Sequence, residues 1–335
     1  MRIGLIGAGA VADFHIQAAR SIAHAEVTAV CDLDDSAAAR AADRAGDARV
    51  FADYREMYAS GCIDAVIVNT PHALHLPMVT DAARAGLHVL VEKPMATTLA
   101  DCDVMIAACE NADVALAVGH IQHYMPDKLA AKAIIDSGEL GDVVMIHDDR
   151  STDYRPGTRP DWFLSRDVAG GGALINIGGH CLDRCLWFGG AHATELFAST
   201  VQRFGADVET DGMISLRLKN GVGVTISVLS DPPSKTDSMS IVCELGVVVA
   251  DPRRGTTVQR DGTSRMLHSP DPGDIQRAFT AQLADFLAVI AGAEPAVPLS
   301  HARHVVELVL ASYRSEEQHS LVALESEAVE AGAAR

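Results

Sequence analysis

Arg2-Ile3-Gly4-Leu5-Ile6-Gly7-Ala8-Gly9-Ala10-Val11-Ala12 decides the fold. The first five residues form a short apolar run of the kind that makes a buried parallel strand. They pass without a linker into G-x-G-x-x-A, which opens a helical pattern. The first glycine allows a tight turn and the second lets backbone approach a pyrophosphate. The third position needs only a small side chain, which Ala12 supplies. Amide groups at the helix start then face the phosphates. Asp32 stands about 20 positions on, at the end of a second strand pattern, Glu26–Cys31. Its carboxylate suits a ribose diol and repels a 2′-phosphate. Leu33, Asp34 and Asp35 follow, with no Arg or Lys among them, so the expected cofactor is NAD rather than NADP.

Working outward, strand patterns at 65–69, 88–91 and 114–118 alternate with helical ones at 13–22, 36–45, 76–85 and 100–110. That spacing is of βαβ crossovers, and it predicts an α/β chain with a doubly wound parallel sheet over residues 1–120. Beyond 120 the pattern changes. A helix is expected at 126–137, a strand at 143–147 and a loop from Ser151 to Arg159. After Gly170-Gly171-Gly172 come strands at 195–202, 213–218, 222–229 and 239–244, with turns at Gly221 and Gly246. Helices at 275–291 and 301–315 follow, and an end after Ser326 is expected to fray. Residues 121–325 therefore read as a second α/β domain with a mixed or antiparallel sheet.

The length of 335 residues suits two domains, and 48% apolar residues can fill both cores. A formal net charge of -18 disfavours nucleic acid and anionic membranes as partners. The 7 cysteines are odd in number and form no C-x-x-C, so free thiols are expected. No leader-like stretch precedes the first strand, and no apolar run reaches the ~18 residues of a membrane span. The expected location is the cytoplasm.

Three further segments carry a resemblance. They are Asn69-Thr70-Pro71-His72-Ala73-Leu74-His75, Gly86-Leu87-His88-Val89-Leu90-Val91-Glu92-Lys93-Pro94, and Gly170-Gly171-Gly172-Ala173-Leu174-Ile175-Asn176-Ile177-Gly178-Gly179-His180. Together with the glycine motif, in this order and spacing, the chain resembles the Gfo/Idh/MocA family of glucose-fructose oxidoreductase and inositol dehydrogenase-like enzymes over nearly its whole length. The resemblance implies an N-terminal Rossmann domain and a C-terminal domain whose sheet is large and open and often joins subunits, so a homodimer or homotetramer is expected. It implies an NAD-dependent dehydrogenase acting on CH-OH groups, moving hydride between nicotinamide and a hydroxyl or keto carbon of a sugar, cyclitol or sugar derivative. Two alternatives stand beside it: a glycoside-cleaving or epimerising enzyme that keeps NAD bound through an internal redox cycle, and a non-catalytic NAD- or sugar-binding regulator. The sequence does not name the sugar.

Lys93 falls at the carboxyl end of a parallel strand, where open α/β sheets place ligands. Burial and a nearby cationic nicotinamide would depress its pKa and fit it for proton transfer. In the family the following Lys-Pro bond is typically cis. Asn176 and His180 are four apart on a helical pattern, so one face presents both. The family usually has Asp where Asn176 stands. An amide bonds an oxygen but cannot take its proton, so acid–base work falls to His180 and Lys93, with Asp183 supplying nearby charge. Lys93, His180 and Asn176 are the expected catalytic residues. Cofactor contacts are expected from Gly7, Gly9, Ala10, Val11, Ala12, Asp32, Thr70, Pro71, His72, His75, Glu92, Lys93, His120 and Trp162. Substrate contacts are expected from Lys93, Gln122, His123, Tyr124, Asp153, Asn176 and His180, with Asp149, Arg150 and Tyr154 as weaker candidates. His120 and His123 have H-x-x-H spacing, but in a loop. Hydride chemistry with a lysine needs no metal, and none is expected.

Overall fold

The computed structural model describes residues 1–324; the expected frayed end after Ser326 lies outside them. Six strands, β1 (Arg2–Ile6), β2 (Glu26–Cys31), β3 (Arg49–Phe51), β4 (Ala65–Val68), β5 (His88–Glu92) and β6 (Leu116–Gly119), form one sheet. Its order is β3-β2-β1-β4-β5-β6, and every pair is parallel. Strand order reverses between β1 and β4, so a crevice opens at the carboxyl ends there. Helices α1 (Ala12–Ser21), α2 (Asp35–Ala45), α3 (Tyr54–Ala59), α4 (His75–Arg84) and α5 (Leu99–Asn111) make the crossovers. Residues alternate between two cores, Ile6, Val66, Val68 and Val91 on one face and Ile3, Leu5, Ile67 and Leu90 on the other. This two-sided burial is why these strands read as unbroken apolar runs. β3 and α3 were not foreseen. β3 is a three-residue edge strand, exposed at Arg49 and Val50, so no apolar run marks it.

The second half contains α6 (Pro126–Asp136), β7 (Val143–Thr152), α7 (Arg166–Ala169), α8 (Gly179–Gly189), β8 (Ala193–Val201), β9 (Asp211–Leu218), β10 (Gly223–Ser230), β11 (Asp237–Cys243), β12 (Gly246–Asp251), β13 (Gly255–Arg260) and β14 (Thr263–His268). Helices α9 (Asp274–Ile290) and α10 (Leu299–Gln318) and the short β15 (Val322–Ala323) complete it. The sheet runs β14-β13-β12-β11-β7-β10-β9-β8-β15. Only β7 and β10 pair in parallel; the rest is antiparallel. β7 continues to Thr152, past the expected start of a loop, because Asp148 and Thr152 face inward and hide its alternation behind polar residues. Gly246 opens β12 rather than sitting in a turn.

Helices cover one face of this sheet. The other stays open and carries Met145, Phe197 and Met213, which are 40%, 38% and 54% exposed. The chain end returns to the first sheet. Phe279 of α9 stacks on Phe14 of α1 with centroids 4.9 Å apart, and Leu283 and Phe286 join the same core. α10 serves both halves: Ala302 and Val306 pack with the parallel sheet, while Val305, Leu308 and Val309 pack with the mixed one. All seven cysteines are free, and no described helix is long and apolar enough to cross a membrane.

Candidate active site

Gly7 has φ +89°, and a Cβ there would stand 2.7 Å from the Asn69 carbonyl oxygen, so only glycine makes this turn. A Cβ on Gly9 would meet nothing within 4 Å, which leaves open space before the start of α1. No side chain caps that helix; the Ala12 amide turns back to the Gly9 carbonyl at 3.1 Å, and the next amides of the first turn are left for an anion. Asp32 closes the other side. Its Oδ2 accepts from the Ala8 amide at 2.6 Å and its Oδ1 from the Asp34 amide at 2.8 Å. Each oxygen keeps a further lone pair for a ribose hydroxyl. Asp34 accepts from the Ser36 and Ala37 amides as the cap of α2, which adds negative charge where a 2′-phosphate would lie. The side-chain amide of Asn69 is buried beside this turn, and neither its oxygen nor its nitrogen has a partner. The open turn, the uncapped helix and this orphaned amide fit a dinucleotide. Asn69 belongs to the motif at residues 69–75, but its unmet polar atoms are visible only in the fold.

At the end of β5, Glu92 accepts from the Lys93 amide at 3.2 Å and lies 3.3 Å from Nε2 of His15, a fully buried residue of α1. Burial pushes the Glu92 carboxyl up, but His15 and Lys93 outweigh it, and its pKa lies below the ordinary value. The Lys93–Pro94 peptide is cis. Lys93 Nζ donates to Asn176 Oδ1 at 2.8 Å and to the Asn176 carbonyl at 3.1 Å, bridging the two halves. Burial is the chief cause that brings this amine down to about 8; Glu92 opposes it, while Arg150 and Arg159 add to it. His180 is held well below its ordinary value by burial first, then by Lys93 and Arg150, against the pull of Asp183. Its Nδ1 has no partner, nor has Asn176 Nδ2 or Arg150 Nη1. A neutral imidazole, a low-pKa amine and an amide therefore share one polar cluster at the strand ends.

The turn that presents Asn176 and His180 is π-helical over Leu174–Gly178 and continues into α8. Glu209 anchors it. Its Oε1 accepts from the Gly172 amide at 2.8 Å, the Leu174 amide at 3.0 Å and the Tyr313 hydroxyl at 2.7 Å. A Cβ on Gly171 would run into that hydroxyl, and one on Gly172 into the Glu209 carbonyl oxygen. This explains the glycine run as close approach. Glu209 was missed, because a lone carboxylate between strand patterns carries no signal.

Several expected contacts are engaged elsewhere. Both ring nitrogens of His75 face backbone carbonyls, Nδ1 that of Pro94 and Nε2 that of Thr70, each at 3.0 Å; burial favours the neutral ring, which donates to one of them. His75 instead ties the Thr70 turn to the segment after Lys93. His72 Nδ1 donates to Ala169 O at 2.7 Å, and its ring meets Trp162 edge-on at 5.1 Å. Trp162 stacks on Phe163 at 3.7 Å and remains half-buried. Tyr124 is buried and donates to Asp285 at 2.8 Å, away from the lysine cluster. Gln122 accepts from Arg184 at 3.4 Å. Asp153 sits on the surface, paired with Lys235. His123 bonds Asp183 at 2.8 Å and stacks on Trp187 at 4.3 Å, and His120 lies 3.4 Å from the same carboxylate. The hydrogen bonds thus join only Lys93 and Asn176 among the expected substrate contacts, with His180 on the same turn.

The family model described as "Oxidoreductase family, NAD-binding Rossmann fold" matches residues 1–120, and the "GFO/IDH/MocA C-terminal domain" matches residues 129–249. Inositol 2-dehydrogenase 2 of Saccharopolyspora erythraea is 30% identical over 78% of this chain and 76% of its own. The myo-inositol 2-dehydrogenase of Thermotoga maritima is 27% identical over 97% and 99%. Among solved structures, GenD2 from gentamicin A biosynthesis, in complex with NAD, is 26% identical with a TM-score of 0.87, covering 97% of each chain.

Proposed function

The chain belongs to the Gfo/Idh/MocA oxidoreductase family, and from that premise we propose that it oxidises a hydroxyl carbon of a sugar or cyclitol, or reduces the matching ketone, with NAD. The observation that carries this reading is the bond from Lys93 to Asn176 beside His180, at the carboxyl ends of the parallel sheet. The cofactor supplies the hydride acceptor at nicotinamide; the chain's own residues handle the proton and the aim. The Gly7–Ala12 turn and Asp32 hold the dinucleotide, and Asn69 adds an amide to that wall. His180, neutral and with a free Nδ1, accepts the hydroxyl proton. Lys93 orients the oxygen and, as a free amine above about pH 8, takes the proton onward. Asn176 fixes Lys93 and offers its own N–H to a second oxygen.

The substrate's kind is inferred from relatives that bear inositol dehydrogenase names. Residues 121–325 are assigned the substrate role, although α9 packs on the first sheet. The open sheet face with Met145, Phe197 and Met213 is assigned to a second copy of the chain. Its free thiols suit a reducing cytoplasm. The test is a panel of sugars and cyclitols with NAD and NADP, read as absorbance of reduced cofactor. Substrate-dependent NADH with a preference for NAD is expected. Product without net NADH would transfer the reading to an internal redox cycle, and no turnover on any polyol would overturn it. In Lys93→Ala, turnover falls by roughly a hundredfold or more with NAD affinity kept.

A further inference from the structure

One buried cluster contains neither Lys93 nor His180. Asp183 of α8 is fully buried, and its Oδ1 lies 2.8 Å from His123 Nε2, 2.7 Å from His301 Nε2 and 3.4 Å from His120 Nδ1. Three segments supply these side chains: the turn after β6, α8 and α10. The H-x-x-H spacing at His120 and His123 pointed to a loop alone; the fold adds a carboxylate and a third imidazole. We propose that His123, Asp183 and His301, with His120 beside them, bind one divalent transition-metal ion of the zinc class.

The donor set is of the right kind. Neutral imidazoles and a carboxylate are the ligands zinc takes in four-coordinate sites. One ligand atom from each of His123, Asp183 and His301 lies within 4.8 Å of the others. Asp183 Oδ2 and both ring nitrogens of His120 are buried without a hydrogen-bond partner. A wholly buried carboxylate with an oxygen that accepts no hydrogen bond, next to an imidazole whose only close polar neighbour among the described residues is that carboxylate at 3.4 Å, is a costly arrangement that a cation relieves. The His123 ring is fixed by its stack on Trp187, which orients a ligand nitrogen without a proton relay. His301 is 16% exposed and gives an entry route. Ligand atoms now at hydrogen-bond distance need to part by about 0.6 Å to reach the spacing of a tetrahedral site with bonds of about 2.0–2.1 Å to the metal.

The test uses untagged, full-length protein, stripped with chelator and titrated with Zn2+ alone by calorimetry and by thermal melting. One ion per chain is expected, with a melting point raised by several degrees. His301→Ala, the least buried ligand, should weaken binding at least tenfold while the circular dichroism spectrum stays unchanged. His123→Gln should do the same. The proposal is overturned if the stripped protein takes up no Zn2+, or if both variants bind it as the parent does. Neither readout depends on the substrate or on turnover.

Discussion

The amine of Lys93 sits 2.8 Å from the side-chain oxygen of Asn176, an amide and not a carboxylate, and 3.1 Å from its carbonyl, so both bonds that tie the lysine to the second half are to neutral oxygens. Replacing the amide tests what that choice does. Asn176→Asp places an anion in contact with the ammonium and raises its pKa by one unit or more. The alkaline limb of the rate profile should move up from about 8 by that amount. An unmoved limb would mean that Lys93 does not titrate in the rate.

The parent enzyme's own profile follows from the same amine. Lys93 gives up its proton near 8, so kcat/KM for oxidation should climb through about pH 8. His180 is held well below its ordinary value and adds no limb near neutrality. In Lys93→Arg the side chain stays charged, and the residual rate should lose the climb. A climb that persists in this variant assigns the titration to another group.

Lys93 also bears on stability. Its amine titrates near 8 when folded and near 10.5 when unfolded, so between these values the unfolded chain binds more protons and stability rises with pH. Below pH 8 both states are protonated and the fold carries the whole cost, roughly 3 kcal/mol. Lys93→Met should therefore melt higher than the parent at pH 7, with the gap shrinking as pH rises towards 10. A gap that ignores pH, measured by calorimetry on both proteins, would contradict a strained amine.

Glu209 touches no reactant in this scheme; it holds the turn that does. Glu209→Ala strips an acceptor from two buried amides and the Tyr313 hydroxyl, and a stability loss of about 2–3 kcal/mol is expected. The displaced turn should lower kcat up to a hundredfold, while KM for NAD stays within about twofold. Glu209→Gln keeps the accepting oxygen and should recover most of the rate. Equal loss in both variants would show that the charge, not the anchoring, matters.

Asp32→Ser removes the carboxylate that faces the ribose site. The ratio of kcat/KM for NAD over NADP should fall about tenfold to a hundredfold, the worth of one or two charged hydrogen bonds. An unchanged ratio would dismiss Asp32 as the selector.

The first half of the chain was legible because burial on both faces writes each strand as an apolar run, and because Gly7, Gly9, Ala12 and Asp32 stand at fixed offsets from β1. β14 was not, since residues 263–266 are all exposed and only Leu267 and His268 are half-buried, so no apolar stripe marks it. Lys93, Asn176 and His180 were singled out as candidates through segments that resemble a known family. Glu209, Asn69 and His15 escaped because their part depends on partners distant in sequence. The histidines show a related limit: His72 donates one ring nitrogen to backbone and His75 lies between two backbone carbonyls, and residue type alone does not reveal whether a ring is already engaged.

α10 lends one flank to each sheet's core, like a spar shared by two hulls. Cutting the chain ahead of it would strip apolar cover from both at once, so neither lobe should survive as a soluble fragment, and heating should melt the pair in a single cooperative step.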